Sequence, residues 1–272
     1  MATTIERDGT TLTVYDLSDC LSNSTSEFEP NSHRIEYTTS EESAAAGRMG
    51  VPSELWPDGH GPQVETVTLS THSGTHVDAP YHYGPARQGE ARTIDQIPLE
   101  WCFGPGVLLD MRHKGAGEGI TRVDVVSELE RIGHVLRPLD VVLVMTGASA
   151  NFGRRGYELT HAGLRRDATE FLVDSGVRLI GIDAWGLDRP FDVMIEDAKA
   201  GRAQLWESHV LGREKEYCQI ERLANLDRLP EPTGFTVYAF PVKLERASAG
   251  WARVVAIYQT LRRSSAIASG VA

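Results

Sequence analysis

Short apolar runs separated by amphipathic stretches leave this chain few ways to fold. Runs at 11–17, 64–70, 106–111, 140–145, 177–182, 235–240 and 252–258 have the length and side-chain character of strands. Two helices are signalled between them. Thr121-Arg122-Val123-Asp124 reads as a capping box, with Val125, Leu129 and Ile132 on one face and Gly133 as the terminator. The second opens at Thr160, sets Leu164, Ala168, Phe171 and Leu172 on one face, and closes at Gly176. This alternation predicts a mixed α/β domain, a sheet core with flanking helices, and argues against a sandwich or a helical bundle. The polar stretch 27–62 is rich in Ser, Glu, Pro and Gly, with one helical-looking piece at Glu41 to Ala46. Its length predicts a lid or an arm that crosses to another subunit. No repeat or linker divides the chain, so we read one domain over 1–272 with a disordered tail from about 262.

Charge narrows the partners. Lys and Arg number 27 against 38 Asp and Glu, a net charge of −11 with no basic block to offset it. Such a surface repels phosphate backbones and anionic membranes, which excludes nucleic acid and membrane partners. The three cysteines, Cys20, Cys102 and Cys218, lie far apart and form no CxxC pair, as in a reduced compartment. Residues 1–8 lack the basic and apolar parts of a leader, and no apolar run is long enough to span a bilayer, so the expectation is a cytoplasmic protein.

Chemistry concentrates in one place. From His72 to His82 the chain reads HSGTHVDAPYH and holds three of its nine histidines. A helical HExxH metal motif does not fit, because Ser73 stands where the glutamate belongs and Gly74 and Pro80 break helices. On extended backbone, His76 and Asp78 point the same way, and Gly74 lets the chain bend so that His72 joins them. A polar loop with surface histidines is the plain alternative, but the register of Asp78 and His82 argues for a site. Imidazoles and a carboxylate suit a divalent metal, Zn²⁺ or Mn²⁺, with an open position where bound water becomes hydroxide near neutral pH. His82 is then free to shuttle protons.

The signature HxGTHxDxPxH resembles that of the cyclase family, which includes bacterial kynurenine formamidases, isatin hydrolases and ring-closing enzymes of aromatic polyketide pathways. The likeness runs from Tyr15-Asp16-Leu17-Ser18 through Gly181-Ile182-Asp183 to His209-Val210-Leu211 and the segment Ile220 to Leu226. It implies a swivelling β/β/α domain, a homodimer or homotetramer, and one or two divalent ions. By that resemblance His72, His76 and Asp78 are ligands, with Asp78 able to bridge a second ion. His209 and Glu221 complete a dinuclear set, and His82, with Glu221, moves protons. Alone, His209 and Glu221 carry no signal that separates them from surface residues.

Two departures bear on the substrate. Where formamidase-like members carry a serine ahead of an aspartate, this chain reads Ala184-Trp185-Gly186-Leu187-Asp188, so a hydroxyl is missing and an indole takes its place. Trp185 and Asp183, at the end of a predicted strand, become candidate substrate contacts. The charged stretch 197–207 ending near Trp206, with Glu216 to Glu221 and Phe240 to Lys243, looks more like the polyketide-cyclase branch. Trp56, Trp101, Trp206 and Trp251 are read as packing residues. No glycine cluster follows a strand into a helix with dinucleotide spacing, and Gly147-Ala148-Ser149-Ala150 is not a serine nucleophile elbow. The leading reading is amide or lactone hydrolysis of an aromatic or cyclic substrate by metal-bound hydroxide. Aldol ring closure on a polyketide is the second reading, and a non-catalytic metal-binding protein the third.

Overall fold

Val141–Met145 is buried at every position, and its alternate side chains feed two different cores. Val141, Leu143 and Met145 belong to one, Val142 and Val144 to the other, the period of two that a strand imposes. A strand covered on both faces is a parallel-sheet strand, and the run of branched residues at 141–145 is the sequence expression of that burial.

The computed structural model describes residues 2–29 and 32–261, so the tail expected from 262 lies outside the described residues. In chain order the first half holds β1 (Thr3–Arg7), β2 (Thr10–Asp16), β3 (Arg34–Thr38), α1 (Ser40–Ala45), β4 (Val64–Thr68), β5 (His76–Asp78), β6 (Phe103–Asp110), β7 (Gly119–Ile120) and α2 (Arg122–Ile132). The second holds β8 (Val141–Met145), β9 (Gly163–Leu164), α3 (Arg166–Asp174), β10 (Leu179–Ile182), α4 (Phe191–Lys199), α5 (Glu207–Gly212), β11 (Cys218–Glu221), β12 (Phe235–Tyr238), β13 (Ala249–Trp251) and β14 (Val255–Leu261). Ten strands make one mixed sheet in the order β1-β2-β14-β12-β6-β8-β10-β11-β5-β13. Its centre, β6-β8-β10-β11, is parallel, and antiparallel strands extend it on both sides. This is the expected α/β architecture. Val125 and Leu129 of α2 with Ala168, Leu172 and Val173 of α3 cover one face.

Helix α2 runs as its sequence predicts. Thr121 and Asp124 form the capping box and Gly133 ends it at φ 66°, in the left-handed region that glycine enters without a Cβ clash. Helix α3 starts later than expected, at Arg166 rather than Thr160. Gly163 and Leu164 are drawn into a short parallel ladder with Gly119 and Ile120, and the Leu164 N–H donates to the Leu187 carbonyl at 2.8 Å. Tertiary pairing overrides the helical pattern there, while Gly176 (φ 93°) still closes the element. In the stretch 27–62, α1 carries a Thr39–Glu42 capping box, and β3 pairs with β4 as a separate two-stranded sheet.

The site is positioned by β5. This three-residue strand lies between β11 and β13, and its register sets His76 opposite Glu221 and Asp78 opposite Gln219. The parallel part of the sheet ends at β11, and β5 runs antiparallel to it.

Candidate metal centre

His76 and Asp78 are both fully buried, two residues apart on β5, and so share a face of the sheet. Glu221, directly across the antiparallel pair from His76, joins them on that face: His76 Nε2 lies 3.2 Å from Asp78 Oδ1 and 3.6 Å from Glu221 Oε2. The ring is fixed from behind. Its Nδ1 is 2.8 Å from the Gly74 carbonyl, which can only accept, so Nδ1 carries the proton and Nε2 is the free donor atom. Gly74 makes this bend at φ 63°, where an added Cβ would come within 2.9 Å of Leu21.

The same bend brings His72 onto Asp78, with Nδ1 2.9 Å from Oδ1, while its Nε2 meets the Ser248 hydroxyl at 3.0 Å. His82 follows on a single turn at Pro80–Tyr83, its ring 4.1 Å from that of His72. His72, Asp78 and His82 form one group of potential ligand atoms within 4.8 Å of each other, and His76, Asp78 and Glu221 form another. Asp78 is common to both.

His209 arrives from α5. Asp188 caps this helix from outside, accepting from the Ser208 N–H at 2.7 Å and the His209 N–H at 3.2 Å, because Trp206 at the cap position offers no oxygen. Asp188 also holds the His209 Nδ1 at 2.5 Å, which turns Nε2 toward Glu221, 3.7 Å away. Trp206 takes a left-handed backbone (φ 62°) and lays its indole on the His209 ring at 4.1 Å, tilted by 13°, with its centroid 5.4 Å from that of the His82 ring, nearly perpendicular to it.

Electrostatics separate the groups. Burial pushes the Asp78 carboxyl up, but His76 and His82 outweigh it and hold its pKa well below the ordinary carboxylate range. Burial, then the Asp78 charge, raises that of Glu221. Burial lowers the pKa of His76 and of His209, yet Asp78 for the first and Asp188 for the second carry each above its usual value. Burial lowers His82 to about 4, so its imidazole is neutral at pH 7.

His72, His82, His209 and Glu221 open onto a cavity of about 260 Å³ walled by Trp185, Phe191, Met194 and Trp206. Trp185, a candidate substrate contact from the sequence, is on this wall. Asp183 does not line this cavity: it is buried and accepts from Thr146 N–H (2.6 Å) and hydroxyl (2.7 Å) and from Gly147 N–H (2.9 Å). Its hydrogen bonds tie the β8 and β10 loops together.

Residues 15–189 match the family described as putative cyclase. The chain belongs to the putative cyclase family. It is 32% identical over 212 residues to a kynurenine formamidase of Paracidovorax citrulli, covering 75% of this chain and 85% of that one. A kynurenine formamidase of Maricaulis maris is 38% identical over 126 residues, 46% of this chain and 54% of that relative. An isatin hydrolase structure bound to the product analogue thioisatinate superposes with a TM-score of 0.73 over 92% of this chain and 93% of that chain at 21% identity, which attests the shared fold. This cyclase-family chain is a hydrolase enzyme.

The donor set suits a metal by its own geometry. His76 Nε2 and both Asp78 oxygens are buried and lack a hydrogen bond, although their neighbours stand within 3.2 Å, so their lone pairs remain free for a shared cation. Sequence reasoning missed Asp188 as the group that orients His209, and it read Trp206 as packing. It also missed Glu29, Arg222 and His161 on the cavity wall. No local pattern marks these residues, because each reaches the site through long-range contacts.

Proposed function

We propose that this cyclase-family chain cleaves an amide or lactone bond in an aromatic or cyclic carbonyl compound. His72, His76, Asp78, His209 and Glu221 would hold one or two divalent ions, Zn²⁺ or Mn²⁺. One observation carries the reading: unpaired buried donor atoms converge beside a neutral histidine at the base of a cavity with aromatic walls. When bound, such a metal polarises a carbonyl and acidifies water.

The side chains supply the rest. His82, neutral at pH 7, takes the proton of the attacking water and returns it to the departing nitrogen or oxygen. Trp185, Phe191, Met194 and Trp206 hold the ring and exclude water. A volume of about 260 Å³ supports one or two rings over the fused multi-ring chain that aldol ring closure needs. The neutral His82 beside the donor cluster speaks against a silent metal-binding protein. The wall lacks the hydroxyl-bearing loop of formamidase-like members, which supports an apolar aromatic substrate over N-formylkynurenine.

We also propose a homo-oligomer, on the stacked and exposed pair Phe103 and Phe240, and a cytoplasmic setting, on the three free thiols. No helix among the described residues is long and apolar enough to cross a membrane. Chelation followed by resupply of Zn²⁺ or Mn²⁺ tests the function, with isatin and an aryl formamide as substrates. Hydrolysis should vanish and return. Undiminished hydrolysis in protein verified as metal-free overturns the reading.

A further inference from the structure

Outside the histidine–carboxylate cluster, every charged side chain on the cavity wall already has a partner. Asp188 holds His209, and Arg189 is 2.8 Å from Asp197. Arg222 Nη1 is bound by both oxygens of Glu29, 193 residues away in sequence. This last pair is buried, with side chains 5% and 6% exposed, and the guanidinium also lies over the Trp185 ring at 5.7 Å.

The chain goes to some lengths to aim Arg222 here. Its backbone is left-handed (φ 59°), a conformation disfavoured for a residue with a Cβ. That strain is held by the Arg222 N–H donating to Ala184 at 2.9 Å and by its carbonyl accepting the Thr75 hydroxyl at 2.7 Å. A buried guanidinium beside an aromatic wall would ordinarily anchor a ligand carboxylate. Glu29 fills that position from within the protein. A substrate carboxylate that took Nη1 would leave Glu29 buried and unpaired, which is strongly disfavoured, and Nε, buried without a hydrogen-bond partner, stays outside the Glu29 contact.

We infer that Glu29 is a specificity-determining residue: by neutralising Arg222 it makes the cavity select uncharged aromatic carbonyl compounds and turn away carboxylates. The substrate class rests on the hydrolase reading above; the charge preference does not.

The test uses three single-ring probes that differ in charge, benzoate, benzamide and benzamidine, with binding to the metal-loaded protein measured by calorimetry. Glu29→Gln keeps the shape of the side chain and removes its charge. The affinity for benzoate relative to benzamide should then rise about 10- to 100-fold over wild type, the range for a hydrogen bond to a charged group. Any direct contact of benzoate with the metal is common to both proteins and cancels. Arg222→Gln should act in the opposite sense, raising benzamidine over benzamide by a similar factor, and it keeps the test open if Glu29→Gln does not fold. Ratios within twofold of wild type in a folded variant overturn the inference. Neither readout needs turnover. A chain with these preferences that hydrolyses nothing sinks the hydrolase reading alone, and an active hydrolase with unchanged ratios sinks this one alone.

Discussion

Asp188 accepts from His209 twice, through Nδ1 at 2.5 Å and through the backbone N–H at 3.2 Å, so one carboxylate sets both the start of α5 and the tautomer of its histidine. Asp188→Asn keeps the shape but brings an amide that can present its own N–H to Nδ1, which reverses the tautomer and puts the proton on Nε2, the atom that faces Glu221. Metal retention against a competing chelator should weaken about 10- to 100-fold. Unchanged retention in a folded variant would mean that His209 is not a ligand.

His76→Ala removes a buried donor whose Nε2 has no other partner. Elemental analysis of the purified variant should find the metal lost or far below stoichiometric, because loss of one close ligand weakens affinity greatly. Full metal occupancy would sink the assignment of His76.

His82→Ala separates two roles. Its ring is within the same cluster radius as His72 and Asp78, but its lowered pKa and its turn beyond β5 suit proton transfer. Turnover should fall about 10²- to 10⁴-fold with metal content kept. A variant that loses its metal instead makes His82 a ligand.

What the sequence discloses and what it hides divide along contact range. His72, His76, Asp78 and His82 lie within eleven residues, so strand periodicity and one glycine suffice to bring them together on paper. His209 and Glu221 enter only by resemblance, because their meeting with His76 depends on the register of β11 against β5. Asp188, Trp206 and the Glu29–Arg222 pair have no local signature at all. The fold follows the same rule. Strands buried on both faces, such as 141–145, announce themselves by composition. Short or exposed ones, such as β3 and β13, are strands only because a partner pairs with them. Thr160 misleads for the same reason: the ladder of Gly163 and Leu164 lies 44 residues from its partner, and helical periodicity cannot register it.

His161 makes stability depend on pH. Its Nε2 donates to the Asp188 carbonyl at 3.0 Å, its Nδ1 is buried without a partner, and burial lowers its pKa to about 4. The unfolded chain, with a histidine pKa of about 6.5, binds more protons below that value than the folded one does. The contribution is therefore complete above about pH 6.5 and is lost as pH falls toward 4, about 3 kcal/mol over the window. Urea melts of wild type and His161→Gln should converge as pH drops through this range. A pH-independent difference between them would show that His161 titrates normally.

The substrate loop gives the riskiest expectation. Gly186 lies in the stretch Ala184 to Asp188, read above as departing from the serine-bearing loop of formamidase-like members, and it lines the cavity beside Trp185, whose indole N–H is buried without a partner. An indole can donate but cannot accept, so a wall that replaces a hydroxyl by an indole loses the acceptor half of that contact and orients a small polar amide poorly. The Glu29–Arg222 pair adds to this, since N-formylkynurenine carries a carboxylate and the Arg222 guanidinium is already paired with Glu29. Steady-state assays with Zn²⁺ or Mn²⁺ supplied should give kcat/KM below about 10⁴ M⁻¹s⁻¹ for that compound. A Cβ at Gly186 would meet only Glu221 Oε1, at 3.6 Å, an ordinary contact, so Gly186→Ser fits without strain. Restoring the hydroxyl should raise kcat/KM on N-formylkynurenine about tenfold, one hydrogen bond's worth. Efficient wild-type turnover, at or above 10⁴ M⁻¹s⁻¹, would overturn the reading of this loop and make the chain an ordinary formamidase.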